Sequence, residues 1–169
     1  NALYEGKLFL KNANVEQYAL DTELFLMKAT GFTKVQLFTK DDYILTEEQK
    51  NFFLNMLKKR AEKIPTQYIL GKCEFMGLDF FVDENVLIPR PDTEILVEAA
   101  IDWAKENKAS YFLDMCTGSG CIALSIAHYA KINGVAVDIS KEALCVADKN
   151  AKALNLKSNI NFIQSDLFE

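Results

Sequence analysis

The residues with the most chemical potential lie in one stretch, Asp114-Met115-Cys116-Thr117-Gly118-Ser119-Gly120-Cys121. Two glycines alternate with small hydroxyl residues, and two cysteines bracket the group. A glycine-rich turn lets the backbone approach a ligand closely, and a helix that starts there offers free amide donors. Paired thiols would instead suggest a metal or a redox couple. The thiol reading is the weaker one. No second Cys or His pair stands at zinc-ligand spacing, and the single histidine, His128, falls further along a largely apolar segment. Cys121 belongs to the start of a helix and Cys116 to the loop. No metal site is expected.

Gly118-Ser119-Gly120-Cys121-Ile122-Ala123 fits the G-x-G-x-x-A form of a dinucleotide fingerprint. It follows a strand-like run, precedes a helix-like run, and is followed about twenty residues on by Asp138, the context that fingerprint requires. An acid there can accept ribose hydroxyls; alternatively, Asp138 only precedes the helix cap Ser140. Asp114 helps to choose the nucleotide. A carboxylate beside a pyrophosphate is repelled, more so as water is excluded. S-adenosylmethionine has no phosphate and carries an ammonium and a sulfonium, both suited to an acid. Asp166, at the end of a third strand-like run, is placed to reach an adenine amino group. Three acids at three successive strand ends describe an anionic pocket for a cationic, adenosine-bearing ligand, although an anionic pocket could also hold a metal.

The elements that must position these residues form two regions. The first is helical. Asn14 is expected to cap a helix from Val15 to near Gly31, with Leu24, Phe25 and Met27 inward and Gly31 as the terminating glycine. Thr46-Glu47-Glu48-Gln49 is a capping box. It opens a helix with Phe53, Met56, Leu57, Ala61 and Ile64 on one face, and Pro65 stops it. Two short aromatic runs around Gly77 then suggest a β-hairpin. Leu87-Ile88-Pro89-Arg90-Pro91 is an extended approach to a helix capped by Asp92, Thr93 and Glu94. That helix is expected to bury Leu96, Ala99, Ala100 and Trp103. From Tyr111 onward strand and helix alternate: strand 111–115, glycine loop, buried helix 122–130, strand 135–137, and a Ser140-capped helix facing inward with Leu144, Ala147, Ala151 and Leu154. Strand 160–163 follows. Such alternation argues for a parallel, doubly wound sheet. The fold class is thus α+β overall: a helical domain over 1–71, a hairpin linker over 72–90, and a partial Rossmann-like α/β domain over 91–169.

The net charge of −5 argues against a nucleic-acid partner. No window approaches the roughly 18 apolar residues of a membrane span. Cys73, Cys116, Cys121 and Cys145 sit in apolar contexts, which fits buried free thiols in a reducing cytoplasm.

Three stretches bring a family into view. Pro65-Thr66-Gln67-Tyr68-Ile69-Leu70-Gly71, Glu74-Phe75-Met76-Gly77 and Leu87-Ile88-Pro89-Arg90-Pro91-Asp92-Thr93-Glu94 resemble the release-factor glutamine methyltransferases, the HemK/PrmC family. The glycine loop, Val137-Asp138-Ile139-Ser140 and Ser165-Asp166-Leu167-Phe168 follow in the family's order. The resemblance implies N5-methylation of the glutamine in the Gly-Gly-Gln motif of class 1 peptide-chain release factors, with S-adenosylmethionine as methyl donor. It implies a helical domain that docks the release factor. Carried onto this chain, Thr117, Gly118, Ser119 and Gly120 hold the methionine portion, Asp138 the ribose, and Asp166 and Leu167 the adenine. Arg90, Pro91 and Thr93 close over the methionine side. The family's loop opens with glycine where this chain has Cys116, so Cys116 is expected in an ordinary backbone region, facing the ligand.

The family's substrate motif, Asn-Pro-Pro-Tyr, is absent from these 169 residues. An amide nitrogen is a poor nucleophile, and its methylation depends on acceptors that hold it in line with the sulfonium carbon. The chain is therefore expected to be the N-terminal portion of a longer protein, to lack activity alone, and either to self-associate through an exposed sheet edge or to be disordered near its C-terminus. The alternatives are an adenine- or amino-specific methyltransferase of related fold, a non-catalytic module that binds release factor, and a dinucleotide-dependent oxidoreductase.

Overall fold

The computed structural model describes residues 2–40 and 42–169. Contacts divide the chain into two units, Asn1–Leu70 and Gly71–Glu169, and group the hairpin with the second.

The first unit consists of α1 (Ala2–Asn12), α2 (Tyr18–Thr30), α3 (Lys34–Thr39), α4 (Glu47–Ala61) and α5 (Thr66–Leu70). Leu10, Val15, Phe25, Leu26, Phe53, Met56 and Leu57 form its core. The Thr46–Gln49 capping box opens α4, with each side chain bonded to the other residue's amide. Gly31 closes α2 at φ 74°, its N–H donating to the Met27 carbonyl. Leu24 and Met27 are only half-buried, and Leu26 takes the inner position instead.

Asn14 does not cap α2. It ends α1. Its φ is 52°, its N–H donates to the Lys11 carbonyl, and the Val15 N–H donates to the Leu10 carbonyl. These are the two bonds of a Schellman motif, with Val15 and Leu10 as its apolar contact. Asparagine suits a left-handed position as well as a cap, so its sequence signal has two meanings. Lys63 Nζ adds bonds of 2.7 and 2.8 Å to the carbonyls of Ala13 and Asn14, a cation at the negative end of α1. A buried acid ties three segments of the unit together: Asp21, 2% exposed, accepts from Arg60 Nε at 2.8 Å and Thr66 Oγ1 at 2.7 Å.

The second unit begins with the hairpin β1 (Cys73–Phe75) and β2 (Leu78–Phe80), paired antiparallel. Met76 and Gly77 make its two-residue turn at φ 52° and 68°, both left-handed as a type I′ turn requires. The turn is fastened on both sides: Met76 N–H donates to Glu94 Oε1 at 2.7 Å, and Tyr129 OH donates to the Met76 carbonyl at 2.6 Å. Then come α6 (Asp92–Glu106), β3 (Tyr111–Met115), α7 (Cys121–Ala130), β4 (Asn133–Asp138), α8 (Lys141–Ala153) and β5 (Ile160–Gln164). The three long strands pair in parallel in the order β3-β4-β5. Phe112, Ala136, Ile160 and Phe162 meet the apolar faces of α6 and α7, with Phe75 and Phe80 of the hairpin in the same core.

Helix α6 is rotated from its expected setting. Val97, Ile101 and Ala104 are buried, while Leu96 and Trp103 are 59% and 62% exposed. Opposite its polar stripe of Glu94, Glu98, Asp102 and Lys105 the apolar arc is wide; 96-99-103 and 97-101-104 are both valid helical stripes within it, so periodicity alone does not choose between them. In α8, Ala147 and Ala151 face inward as expected. Ala143, Val146 and Asn150 join them, and Leu144 and Leu154 lie at the margin.

Candidate cofactor-binding site

The site grows from the end of β3. The loop over 116–120 joins β3 to α7 at the carboxyl edge of the sheet, where parallel sheets bind their ligands. Thr117 N–H donates to the Val137 carbonyl at 2.9 Å, carrying the ladder with β4 one step past the strand. Gly120 N–H then donates back to the Thr117 carbonyl at 2.9 Å, closing a tight turn. The two glycines have different duties. Gly118 has φ 55°, and a side chain there would meet nothing within 4 Å, so its backbone faces open space. Gly120 has φ 79°, and a Cβ would lie 3.1 Å from both Ala147 Cβ and Leu124 Cδ1. It lets the start of α7 press against α8.

Two acids hold this loop. Asp114 is 9% exposed and accepts from Thr117 Oγ1 at 2.6 Å. Burial pushes its carboxyl above the ordinary range, outweighing hydrogen bonds from Thr117 and the Ala123 amide. Asp138, at the end of β4, accepts the Gly118 N–H at 2.8 Å on one oxygen and the Ser140 N–H at 3.0 Å on the other. Ser140 in turn caps α8 by accepting the Ala143 N–H at 3.0 Å. A carboxylate oxygen has about two acceptor sites, so each oxygen of Asp138 retains capacity for a hydroxyl.

Cys116 departs from expectation. Its φ is 61°, so it takes the left-handed conformation rather than an ordinary one. The chain must turn immediately after β3 for the Thr117 amide to reach Val137, and cysteine accepts that turn at a steric cost. Cys116 is exposed, as is Cys145 on the outer side of α8, so these two thiols are not buried as expected. Cys121 heads α7, with its thiol pushed up to about 11, chiefly by burial. It is a packed neutral group at neutral pH, not a thiolate.

The remaining predicted residues are distributed along the same unit. The Ser165 N–H donates to the Asp138 carbonyl at 3.2 Å, which sets the end of β5 beside that of β4. Asp166 and Leu167 follow it, both exposed, with Leu167 at φ 54°. Arg90 and Pro91 are exposed and Thr93 is half-buried, at the entrance to α6. Among the described residues they make no hydrogen bond to the glycine loop. The structure thus brings Asp114, Thr117, Gly118 and Asp138 into one bonded group.

The chain is similar along its whole length to known proteins. Residues 1–71 match a family model described as the PrmC N-terminal domain, and residues 106–169 match one described as a methyltransferase domain. A release factor glutamine methyltransferase of Clostridium acetobutylicum is 41% identical over 170 residues, covering 100% of this chain and 60% of the relative. One of Leptospira interrogans is 40% identical over 169 residues, covering 98% and 59%. From end to end the chain resembles the release factor glutamine methyltransferases. It spans about 60% of the length of these relatives.

The backbone of Gly118 is open on one side, and the acids bonded to the loop are Asp114, through Thr117, and Asp138, through the Gly118 N–H. One residue of the assembly was not foreseen. Asn150, on the inner face of α8, is 1% exposed and donates from Nδ2 to the Ser119 carbonyl at 2.9 Å. The signal for it is a polar amide within a buried stripe, between Ala147 and Ala151.

Proposed function

We propose that this chain binds S-adenosylmethionine at the carboxyl edge of its parallel sheet and serves N5-methylation of the Gly-Gly-Gln glutamine of class 1 release factors. The helical unit docks the release factor, and the second unit holds the methyl donor. The observation that carries this reading is the Gly118–Asp138 bond, which joins loop and acid into one cradle, in a chain about 40% identical end to end to release factor glutamine methyltransferases.

Each group has a distinct duty. Gly118 admits the ligand to close backbone contact. Asp138 offers its remaining lone pairs to two ribose hydroxyls. Asp166 and Leu167 flank an adenine, one through its acceptor and the other through apolar surface. Thr117, Ser119 and Gly120 border the methionine portion, with Cys116 at its entrance. Asp114 holds Thr117 from below and contributes negative potential beneath the loop. Arg90, Pro91 and Thr93 cover the methionine side. The bound donor supplies a methyl group on a sulfonium, an electrophile that needs no metal. This chain's residues bind and orient it, and the acidic surroundings favour a cation over a pyrophosphate.

Calorimetric titration with S-adenosylhomocysteine, with NADH as comparator, tests the cofactor. Heat with the first and none with the second is the expected result; preference for NADH would return the site to dinucleotide chemistry. Retention of a class 1 release factor by the immobilised chain tests the partner. Retention of an adenine-containing oligonucleotide instead would favour the nucleic-acid methyltransferase alternative.

A further inference from the structure

Asn150 commits both amide donors and its carbonyl oxygen to two separate segments. Its Nδ2 donates to the Ser119 carbonyl at 2.9 Å and to the Phe81 carbonyl at 3.0 Å, and its Oδ1 accepts the Phe81 N–H at 2.7 Å. Paired with both polar groups of Phe81, the amide behaves as a short piece of strand laid against the exit of the hairpin. Lys149 Nζ lies over the Phe81 ring, 3.0 Å from its centroid, and fixes the same residue from the next position.

The Ser119 bond reaches the loop. The carbonyl of Ser119 and the N–H of Gly120 belong to one planar peptide unit. That N–H is the donor that closes the turn onto Thr117. Fixing the carbonyl therefore fixes the direction of the amide that shapes the loop. Ala147, one turn before Asn150, packs on Gly120 from the same side. With Asn150 1% exposed, water has little access to replace a lost bond.

We propose that Asn150 is a positioning residue that couples the hairpin to the cofactor loop. Displacement of the hairpin at Phe81 loosens the Ser119–Gly120 peptide, and a ligand that orders the loop protects the hairpin in return, since coupling between two sites is reciprocal. The ligand half of this claim rests on the cofactor reading above; the brace itself does not.

The test compares Asn150→Ala with Val146→Ala, a buried α8 residue outside the brace. Amide hydrogen exchange is read without ligand and at a temperature where both variants stay folded. The expected result is that the Phe81 and Gly120 amides exchange about tenfold faster in Asn150→Ala than in Val146→Ala. S-adenosylhomocysteine should slow Phe81 exchange in the parent chain and not in Asn150→Ala, with about tenfold weaker binding in that variant. Equal exchange at both amides in the two variants overturns the proposal. If the parent chain shows no affinity, the cofactor reading fails while the ligand-free comparison still decides the brace. Asn150→Ser, which keeps a short hydroxyl, enters the same comparison if the alanine variant does not fold.

Discussion

Asp138 accepts the backbone N–H of Gly118 across a parallel strand pair, at 2.8 Å and twenty positions along the chain. One oxygen organises the loop while the other accepts the Ser140 amide beside the cap of α8. The same carboxylate is thus a structural tie and the acid we propose for the ribose.

Replacing it separates these roles. Asp138→Ala leaves two amides without their acceptor and should cost about 1–3 kcal/mol of stability. It should also weaken S-adenosylhomocysteine binding by more than tenfold, through the ribose contacts and the loosened loop together. Asp138→Asn keeps one oxygen and should fall between the two. Urea denaturation and calorimetry on the same preparations read both effects; an alanine variant with parent affinity would remove Asp138 from the site.

Cys116 offers a gain instead of a loss. A residue with a Cβ held at φ 61° is strained by about 1–2 kcal/mol relative to a right-handed conformation. Glycine relieves this and gives back part of it through greater freedom in the unfolded chain. Cys116→Gly should therefore stabilise the chain by about 0.5–1 kcal/mol. Cys116→Ser keeps the strain, loses only the thiol, and should show no gain. A lower denaturation midpoint for the glycine variant would sink the argument.

The strand–helix alternation and the glycine loop were legible in the sequence because period and glycine both marked them. The hairpin was marked by two aromatic runs around Gly77. Helix ends were hidden for a physical reason. Helices α1, α4, α6 and α8 terminate in left-handed residues that are not glycine: Asn14, Lys63, Lys108 and Asn155. In each case the following amide reaches back five residues, as Val15 to Leu10, Ile64 to Lys59, Ala109 to Ala104 and Leu156 to Ala151. Lysine carries no stop signal, and asparagine signals a start equally well. The inner face of α6 was obscured because its apolar arc is wide. Asn150 was obscured because its partners lie 31 and 69 positions away.

In the helical unit, Gly6 permits a close approach within α1. A Cβ at that position would lie 2.7 Å from Thr22 Cγ2 and 2.8 Å from Phe53 Cζ. Alanine favours a helix over glycine by about 1 kcal/mol. Overpacking a buried contact costs about 1–3 kcal/mol, and Thr22 is 0% exposed on a neighbouring helix, with little room to yield. Gly6→Ala should therefore destabilise the chain despite its better propensity. Thermal unfolding decides the sign, and a raised midpoint would show that α1 moves away freely.

Asp114 makes a prediction about pH. Its folded carboxyl titrates above the ordinary 3.8 of a free aspartate because burial penalises the charge. Such a group binds its proton more tightly when folded. Its contribution to stability is fully present below the unfolded value and is lost as pH rises through the folded one. Asp114→Asn removes this titration while keeping an oxygen to accept from Thr117 Oγ1. The difference in unfolding free energy between parent and variant should therefore shift in the variant's favour as pH rises from below 3.8 through the mildly acidic range. Denaturant unfolding at a series of pH values measures it. A difference that stays flat would mean that the carboxylate is as well solvated in the folded chain as in the unfolded one. A difference that moves in the parent's favour would mean that the bonds from Thr117 and the Ala123 amide outweigh burial.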